Sequence, residues 1–506
     1  MNKNNPKIVA FLCTWCSYAG ADLAGTSRSQ YPPNVRVIRV PCSGRINPIY
    51  IIKALLEGAD GVLVSGCHPG DCHYLVGNYH ARRRFVVLKK LLTTAGFDAD
   101  RVHFTWVSAS EGARFADVIR TVTVKVQGLG ASTDSSEQTQ PEHTDNQDNS
   151  SNQMASLSDL VNQEPIVQEN SNASAQITHH EQFAKQREQL ISHCKELLKS
   201  KAVEFVIGFR RQEDNSPVFS ESTGELIPCV PAESTGELIP CAPLSVPCFI
   251  DSPADVEKLM WDNRCIPTLS GYLIDSKAKA TSVKNNKVAI VAKPCDARAI
   301  VSLIQEKQLK RDDIHIIGLT CAGMVSEDGT ALPCCLDCDV RTPPIYDYLI
   351  NQSSLRPPSR NSLNIALIQG IPDQVRDDKG YSLSEEVDKC ILCYSCRQSC
   401  YGCYCETCFV DRGEPDWQTS SPDTGAKMLY HLGRAMHLSG RCVGCGACEN
   451  TCASGVNVRY LIREVSKFIE DTYGYQSGMD PDATPAMLTY NNDDPEIGFL
   501  GEYNDK

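Results

Sequence analysis

Two cysteine runs of the same spacing constrain this chain more than any other feature of its sequence. Both follow C-x2-C-x2-C-x3-C, and they comprise Cys390, Cys393, Cys396, Cys400, Cys442, Cys445, Cys448 and Cys452. Three thiolates so spaced wrap one corner of a cubane cluster, and the fourth cysteine of such a run reaches the other cluster of a pair. The runs therefore predict two 4Fe-4S clusters, one on Cys390, Cys393, Cys396 and Cys452, the other on Cys442, Cys445, Cys448 and Cys400.

Zinc and disulfides fit this spacing less well than iron–sulfur clusters do. Structural zinc uses paired C-x2-C knuckles, without three evenly spaced thiols and a fourth. The proline that usually follows the fourth cysteine is absent, because Tyr401 and Ala453 stand there; that proline ligates nothing, so the prediction stands. Cys403, Cys405 and Cys408 keep three open roles: ligands of a further cluster, competitors of Cys400, or unligated packing side chains.

Composition restricts the class of protein and its compartment. The chain has 506 residues, 26 cysteines and a net charge of -13, and 42% of it is hydrophobic. Cores of ordinary size are therefore possible without disulfide staples. No signal peptide and no apolar run of about 18 residues is visible, so we expect a cytoplasmic protein without a membrane span. The acidic balance argues against nucleic acid as a partner.

Composition also divides the chain into segments. Between Lys125 and Lys185 there is no lysine or arginine, which is typical of a disordered acidic linker. The motif "ESTGELIPC" occurs twice, and this tandem copy predicts a surface loop in which Cys229 and Cys241 are not ligands. We predict α/β domains at 1–127 and 181–351, the linker at 128–180, a flexible insertion at 352–381, a mainly α-helical ferredoxin-like domain at 382–472 and an unstructured acidic tail at 473–506.

The first segment alternates strands and helices. Four β-branched, apolar stretches, "KIVAFLC", "VRVIRVPC", "DGVLVSGC" and "RVHFTWVSA", are separated by helix-like segments, which predicts a doubly wound parallel sheet. Such sheets bind ligands at the carboxyl edge, where their strands all end. Five thiols follow the first three strands: Cys13, Cys16, Cys42, Cys67 and Cys72.

These five cysteines favour a metal cluster at that edge. A thioredoxin-like redox pair at Cys13 and Cys16 is the alternative. The glycines of "GCHPGDC" would let backbone amides approach the cluster sulfurs. His68 and His73 are candidates for outer donors or for solvated loop residues.

The first domain also resembles a known family. "FLCTWCSYAGAD", "VPCSGR" and "SGCHPGDCHY" are similar to the delta subunit of methyl-viologen-reducing hydrogenase over residues 7 to about 127. Members carry a 2Fe-2S cluster and pass electrons to HdrA, the flavin subunit of heterodisulfide reductase. The resemblance implies the same cluster here, on four of the five cysteines, and an HdrA-like flavoprotein as partner.

The second α/β region resembles the beta-subunit family of coenzyme F-420 hydrogenase and dehydrogenase, which includes formate dehydrogenase subunits. The similar segments are "MWDNRCIPTLSGYL", "KPCDARAIVSLIQEKQLKRDDIHIIGLTCAG" and "CCLDCDVRTPPIYD". Members bind FAD and a 4Fe-4S cluster, which implies Cys295, Cys321, Cys335 and Cys338 as ligands, with Cys334 as a substitute. From the residues alone, the same cysteines are also consistent with buried apolar packing beside strands. The two cysteine runs are common in longer members of this family.

Spacing does not identify a flavin site. No G-x-G-x-x-G follows a strand here, so a Rossmann fingerprint is missing. Lys293, Asp296 and Arg298 lie at a strand-to-helix turn, where cations and a helix N-terminus suit phosphate or a reduced flavin. A surface ion pair is the other interpretation of these three residues.

Three functional hypotheses follow. In the first, the chain is an oxidoreductase subunit in which FAD exchanges a hydride with a two-electron carrier, which could be coenzyme F-420, NAD(P)H, ferredoxin or a formate site. Clusters then relay single electrons between the FAD and a heterodisulfide-reductase-like flavoprotein. The sequence leaves open the direction of electron flow and whether the electrons bifurcate. In the second, it is a flavin-free iron–sulfur wire that links a hydrogenase or formate dehydrogenase catalytic subunit to the same flavoprotein. In the third, it is a zinc-binding scaffold.

Overall fold

The first domain has the alternating strands and helices that the sequence predicts. The computed structural model describes residues 5–130, 172–211, 218–219, 226–227, 245–274, 286–326, 329–351, 382–412 and 422–495. In the first of these ranges the elements are β1 (Ile8–Cys13), α1 (Ser17–Thr26), β2 (Val35–Val40), α2 (Pro48–Leu56), β3 (Gly61–Gly66), α3 (Gly77–Thr94), β4 (Val102–Trp106) and α4 (Gly112–Gly128). The four strands pair in parallel in the order β2-β1-β3-β4, so the predicted parallel sheet is confirmed.

Helices cover both faces of this sheet. Leu12 and Leu63 pack with Phe115 and Ile119 of α4 on one face, while Val62 and Val64 pack with α2 and α3 on the other. β3 is buried along its whole length, as a central strand between two helical layers must be. The domain is therefore doubly wound, with all four strands ending at one edge.

The middle region is a second α/β domain with a mixed sheet. Its elements are α5 (Asn172–Lys199), β5 (Phe205–Arg211), β6 (Val218–Phe219), β7 (Leu226–Ile227), β8 (Ser245–Ile250), β9 (Leu259–Met260), β10 (Val288–Ala292), α6 (Pro294–Gln305), β11 (Ile314–Leu319), α7 (Pro333–Leu336) and β12 (Tyr348–Ile350). Strands β12, β11, β10 and β5 are parallel, and β8 and β9 run antiparallel to β5. Helix α5 begins before the predicted end of the linker at residue 180; the rest of that linker beyond residue 130, the duplicated cysteines and the insertion at 352–381 lie outside the described residues.

In the described part of the cysteine-rich region, all regular secondary structure is helical, and loops connect the helices. Its helices are α8 (Leu383–Asp388), α9 (Ser395–Gln398), α10 (Thr424–Leu438), α11 (Ala447–Asn450) and α12 (Tyr460–Tyr473). We refer to residues 382–412 and 422–495 as the C-terminal module; within them no strand is present. Among the described residues, no helix has the length and apolar character needed to cross a membrane.

The C-terminal module shares one hydrophobic core with the first domain. α10 packs against α2, and α12 packs against α3. One face of α10 is apolar and is buried in this shared core with Ile49 and Ile52; it comprises Met428, Leu429, Leu432, Ala435 and Met436. The first domain is therefore docked against the module as well as joined to the chain by its linker.

The segment after α12 differs from the expected unstructured tail. Arg83 of α3 donates to Asp494 through Nη2 at 2.6 Å and Nε at 2.8 Å, and through Nη1 to the carbonyl of Ala486. Arg82 donates to the carbonyls of Asn491 and Asn492. Both groups of the Arg83–Asp494 pair are buried. Residues 474–495 are thus an ordered strap, of which residues 486–494 follow α3 of the first domain; the structure differs here from the unstructured tail that the sequence predicts.

Polar contacts tie the module to the middle domain. Arg441 forms an ion pair with Glu306, which also accepts a hydrogen bond from the hydroxyl of Tyr404 at 2.7 Å. Arg298 of α6 donates to the carbonyl of Ser477 at 2.8 Å. Arg463 of α12 pairs with Asp337 at 3.3 Å. The module consequently contacts both α/β domains.

Candidate metal centres

Five thiols meet at the carboxyl edge of the first sheet. Cys13, Cys16, Cys42, Cys67 and Cys72 are all buried. The sulfurs of Cys13 and Cys67 are 3.9 Å apart, as are those of Cys42 and Cys72. The sulfurs of Cys13, Cys16 and Cys67 all lie within 4.8 Å of one another. The structure therefore brings together the residues that the strand-end argument selected.

A glycine makes room for this group. A Cβ added at Gly77 would lie 2.6 Å from the sulfur of Cys42 and 3.3 Å from that of Cys72. Any larger residue at the start of α3 would therefore push against two candidate ligands. Sequence reasoning missed Gly77; the available signal was a glycine that opens a helix shortly after a cysteine loop.

The electrostatics of the five thiols suit a cation. Contacts with Cys16 and Cys42 lower the pKa of the Cys13 thiol. Contact with Cys13 and burial raise the pKa of Cys16 to about 12. Clustered, buried thiolates repel each other unless a metal compensates their charge. The donor set thus fits a metal that replaces several protons.

The imidazole rings of His68 and His73, the two candidate outer donors, make their contacts with other side chains. The imidazole of His68 pairs with Glu111 at 2.8 Å. The ring of His73 stacks on Trp15 with their centroids 3.7 Å apart. It is the backbone of His73 that lies beside the sulfur of Cys67. Both side chains therefore support the surrounding loops instead.

In the C-terminal module, both cysteine runs adopt the same loop conformation. φ is positive at Leu392 (53°) and Tyr394 (61°) of the first run, and at Gly444 (74°) and Gly446 (75°) of the second. A short helix, α9 or α11, follows each pair. The matching positions show that one backbone path serves both runs.

Backbone amides in these loops point at cysteine sulfurs. Leu392 donates to Cys390 at 3.4 Å, Gly444 to Cys442 at 3.4 Å, and Val456 to Cys452 at 3.3 Å. Such N–H···S bonds stabilise the charge on ligating thiolates and help to set the potential of an iron–sulfur cluster. The loops therefore fit the groups that their spacing predicts.

The fourth cysteine of each run lies with the other run. Burial and the neighbouring thiols of Cys448 and Cys400 raise the pKa of Cys442 to about 11. Burial also raises the pKa of Cys390, whose neighbouring thiols include Cys396, Cys393 and Cys452. The structure thus brings together both predicted sets, the first set with Cys452 and the second set with Cys400.

A buried arginine lies between these two sets. Arg434 of α10 donates to the carbonyl of Cys396 at 3.1 Å, and its Nε has no hydrogen-bond partner among the described residues. Burial opposes its charge, but the nearby thiols of Cys448, Cys400, Cys403 and Cys396 raise the pKa of the guanidinium. A buried cation is stable only beside a counter-charge. An anionic cluster in either set would supply one, and no sequence pattern pointed to this role.

The extra thiols after the first run do not gather with one another. Cys403 lies near Arg434 and Tyr430, Cys405 is exposed, and Cys408 accepts from the backbone N–H of Asp411. Tyr401, at the position where a proline was expected, is buried and donates to the carbonyl of Arg441. The roles of these three cysteines remain those that the sequence left open.

The middle domain contributes a fourth group of thiols. Gly323 and Met324 donate backbone hydrogen bonds to Cys321 and Cys335, each at 3.3 Å. Contact with the Cys334 thiol, 3.9 Å away, lowers the pKa of Cys335 to about 6. Burial raises the pKa of Cys321 to about 11, and the neighbouring thiols of Cys335 and Cys338 raise it as well. Four of the five candidate cysteines of this domain thus lie near one another.

This fourth group adjoins the second run of the module. Burial raises the pKa of Cys295, and its neighbouring thiols include Cys445 and Cys321. A Cβ on Gly446 would clash with the sulfur of Cys334. The domain junction therefore passes between two groups of candidate ligands.

The three candidate flavin residues are buried and bonded within the protein. Lys293 donates to the carbonyl of Pro267 at 2.6 Å and pairs with Asp296 at 3.0 Å. Asp296 accepts hydrogen bonds from the backbone N–H groups of Leu269 and Ser270. Arg298 donates a hydrogen bond to the backbone carbonyl of Ser477. The ion pair exists, but it lies in the core instead of on the surface. These side chains fix loops, and their role toward FAD stays a prediction.

The doubly wound fold and its five buried thiols define the first domain as an α/β domain with a candidate metal centre at its strand ends. Residues 8–130 match the family model "Methyl-viologen-reducing hydrogenase, delta subunit". Through this domain the chain belongs to that family, which confirms the resemblance of the first domain. The resemblance of the middle domain to the beta-subunit family stays a prediction.

Individual relatives match over the same quarter of the chain. The iron-sulfur subunit of an F420-non-reducing hydrogenase of Archaeoglobus profundus is 54% identical over 125 residues, which cover 25% of this chain and 91% of that protein. The vhu iron-sulfur subunit of the F420-non-reducing hydrogenase of Methanocaldococcus jannaschii is 41% identical over 126 residues, or 25% of this chain and 94% of that protein. One subunit of the ferredoxin:CoB-CoM heterodisulfide reductase of Methanosarcina mazei is 50% identical over 125 residues, or 25% of this chain and 16% of that protein.

Proposed function

We propose that this chain is an iron–sulfur electron-transfer subunit of a hydrogenase or heterodisulfide-reductase type of complex. It would relay electrons between a two-electron partner and an HdrA-like flavoprotein. One observation carries the proposal: four groups of cysteine thiols lie in domains that pack against one another. The thiols of Cys295 and Cys445 are neighbours across one junction, and Cys400 lies in the core shared across the other.

Bound clusters would supply one-electron chemistry, which thiols and amides alone do not. The protein's own contribution is to hold and insulate them. The cysteines would ligate the iron, and the backbone amides of Leu392, Gly444 and Gly323 would stabilise the charge on the thiolates. Arg434 would offset the charge of the two clusters in the C-terminal module. The apolar core around Cys400 excludes water from the relay.

For the first domain we propose a 2Fe-2S cluster. Each iron of such a cluster takes two thiolates, and tetrahedral metal–thiolate bonds of about 2.3 Å place two sulfurs about 3.8 Å apart. The pairs Cys13 with Cys67 and Cys42 with Cys72, each 3.9 Å apart, match this spacing. The sulfur of Cys16 also lies within 4.8 Å of those of Cys13 and Cys67, so one of these three thiols would be the fifth, unligated one. The remaining groups would hold three 4Fe-4S clusters.

Two versions of the relay differ in flavin content. The family resemblance of the middle domain favours FAD there as the hydride acceptor. The burial of Lys293, Asp296 and Arg298 favours the second version, in which the chain is a flavin-free wire. A hydrogenase or formate dehydrogenase catalytic subunit would then perform the two-electron step.

Purification of the full chain without oxygen tests both versions. Iron, acid-labile sulfide, zinc and flavin are measured per chain, together with the identity of co-purified subunits. We expect iron and sulfide for one binuclear and three cubane clusters. One FAD per chain supports the first version, and a full cluster load without flavin supports the wire. A colourless protein with zinc and no sulfide contradicts the proposal as a whole.

A further inference from the structure

A cationic cavity lies where the first domain meets the C-terminal module. It has a volume of about 360 Å³, within the range of about 300–1,000 Å³ that is typical of small-molecule sites. Its walls come from both domains and from the C-terminal strap. The lining residues that matter here are Arg45, Arg84, His437, Arg441, Met436 and Met487. We refer to this space as the junction cavity.

Two of the three arginines that line the junction cavity have no carboxylate partner among the described residues. Among the described residues that line it, none is acidic, although the whole chain carries a net charge of -13. Glu306 neutralises Arg441 from outside the lining. Arg84 donates only to the carbonyls of Gly44 and Ile46, at 2.9 and 3.4 Å. Two guanidinium groups, those of Arg84 and Arg45, therefore remain without a carboxylate within the described part of the chain.

The charge of Arg45 acts on the guanidinium of Arg84. Burial and the charge of Arg45 lower the pKa of Arg84, which means that two like charges are held close together. Arg45 itself is exposed, and no side-chain bond or ion pair satisfies it among the described residues. An anion bound between them would relieve their mutual repulsion. Guanidinium groups bind phosphate through paired hydrogen bonds.

The rest of the lining suits an organic body attached to that anion. Pro48, Met436 and Met487 provide apolar surface, and methionine adapts to flat aromatic groups. Burial and the charge of Arg441 lower the pKa of His437 to about 4, so its ring is neutral at neutral pH and can hydrogen-bond to a base or sugar. A bare inorganic ion would leave this apolar surface unused.

We propose that the junction cavity binds a small organic phosphate of mononucleotide size, with its phosphate on Arg45 and Arg84 and its organic body against Pro48, Met436 and Met487. The lining is close in sequence to two groups of candidate ligands, because Ser43 and Gly44 alone separate Arg45 from Cys42, and Arg441 immediately precedes Cys442. A ligand here would contact both domains and would stabilise their docked arrangement. None of the lining residues is a cysteine, so binding does not depend on the proposed clusters.

Isothermal titration calorimetry on the full, anaerobically purified chain tests the proposal. The probes are AMP, FMN, inorganic phosphate and adenosine. We expect AMP or FMN to bind once per chain, with phosphate alone and adenosine alone each weaker by at least about tenfold. Preference for FMN over AMP would identify the organic body as a flavin ring, and the reverse preference would identify it as a purine.

Matched arginine variants locate the site. Arg45→Gln removes an exposed, unbonded guanidinium and should fold normally; it should weaken nucleotide binding by at least about tenfold, since charged hydrogen bonds are lost. Arg36→Gln removes an exposed arginine of the same domain that does not line the cavity, and its affinity should equal that of the unmodified chain. The proposal is overturned if no nucleotide binds more tightly than inorganic phosphate, or if R45Q and R36Q bind alike.

Discussion

The first domain and the C-terminal module position their thiols by different means. In the first domain, ligands far apart in sequence, from Cys13 to Cys72, meet because parallel strands end at one edge. In the module, each run is a local loop set by two left-handed residues. All five thiols of the first domain are buried, whereas Cys393 of the module is exposed. A sheet therefore preforms one site, while the loops of the other depend more on what they bind.

The strongest test of this contrast removes one ligand of the module. Cys445→Ser should abolish the cluster of the second run and stop electron passage, because a serine hydroxyl is a poor ligand for iron. The signal of the proposed 2Fe-2S cluster in the first domain should persist. Low-temperature EPR and iron content measure both outcomes.

The mirror variant is the control. Cys13→Ser should remove the signal of the first domain and leave the cubane signals of the module. An unchanged EPR spectrum for C445S would refute its ligand role. If either variant lost the EPR signals of all clusters, the first domain and the C-terminal module would bind their clusters as one unit. The difference between the two regions described above would then not hold.

A smaller change probes how tightly the sheet site is packed. Gly77→Ala places a methyl group against the sulfurs of Cys42 and Cys72, so we expect most of the iron of the first domain to be lost while the module keeps its own. Gly25→Ala is the control, because an added Cβ there meets nothing within 4 Å. Equal iron content in G77A and G25A would mean that the site is looser than the structure indicates.

The junction between the two regions depends in part on a buried ion pair. Asp494→Asn removes one partner of Arg83 and leaves a buried charge, which should cost about 3 kcal/mol. Hydrogen exchange measured by mass spectrometry should become faster in residues 486–494 and in α3. Asp493→Asn, at the exposed neighbouring position, should leave exchange unchanged. If hydrogen exchange is equally slow in both variants, the Arg83–Asp494 pair does not hold the strap against the first domain.

The same pair predicts a pH dependence. Burial opposes the ionisation of Asp494, but the hydrogen bonds and charge of Arg83 outweigh it and hold the pKa of Asp494 below its ordinary value. Its contribution to stability is therefore complete above the unfolded-state pKa and is lost as the pH falls through the lower folded-state pKa. Hydrogen-exchange rates of the unmodified chain and of D494N should therefore become equal once the pH is below the folded-state pKa of Asp494. A difference that persists at lower pH would contradict this assignment.

The smallest expected effect concerns electrochemistry. Arg434→Gln removes a buried cation beside both sets of the module, so the reduced, more negative clusters lose stabilisation. Their midpoint potentials should fall by about 60 mV, a tenfold change for one electron, while the potential of the first domain stays constant. Lys427→Gln removes a charge of the same helix that already pairs with Asp388, and it should shift nothing. Equal potentials in R434Q and K427Q, with clusters intact, would exclude this role for Arg434.

Much of the first domain was predictable from local patterns. Apolar, β-branched stretches such as residues 61–66 identify buried strands, and strand direction alone places Cys13, Cys42 and Cys67 at one edge. The periodicity of α10 likewise predicts its apolar face. Both features depend on neighbours in sequence, which is the information that a single chain carries most reliably.

Contacts between distant segments were not predictable in this way. The face of α10 gave no indication that α2 would cover it, and nothing near Asp494 pointed to Arg83. Lys293, Asp296 and Arg298 had the charges of a ligand site, yet partners such as Pro267 and Ser477 bury them. Each case depends on a tertiary partner that a single sequence does not name.

The left-handed residues of the two runs have a consequence for assembly. Glycine adopts that conformation without cost in the second run, whereas Leu392 and Tyr394 each incur about 1 kcal/mol or more in the first. A bound cluster would offset that cost, so we expect the empty first loop to relax more readily than the empty second loop. When iron is scarce, the glycine loop should be filled first, and the leucine–tyrosine loop should be the first to lose its iron.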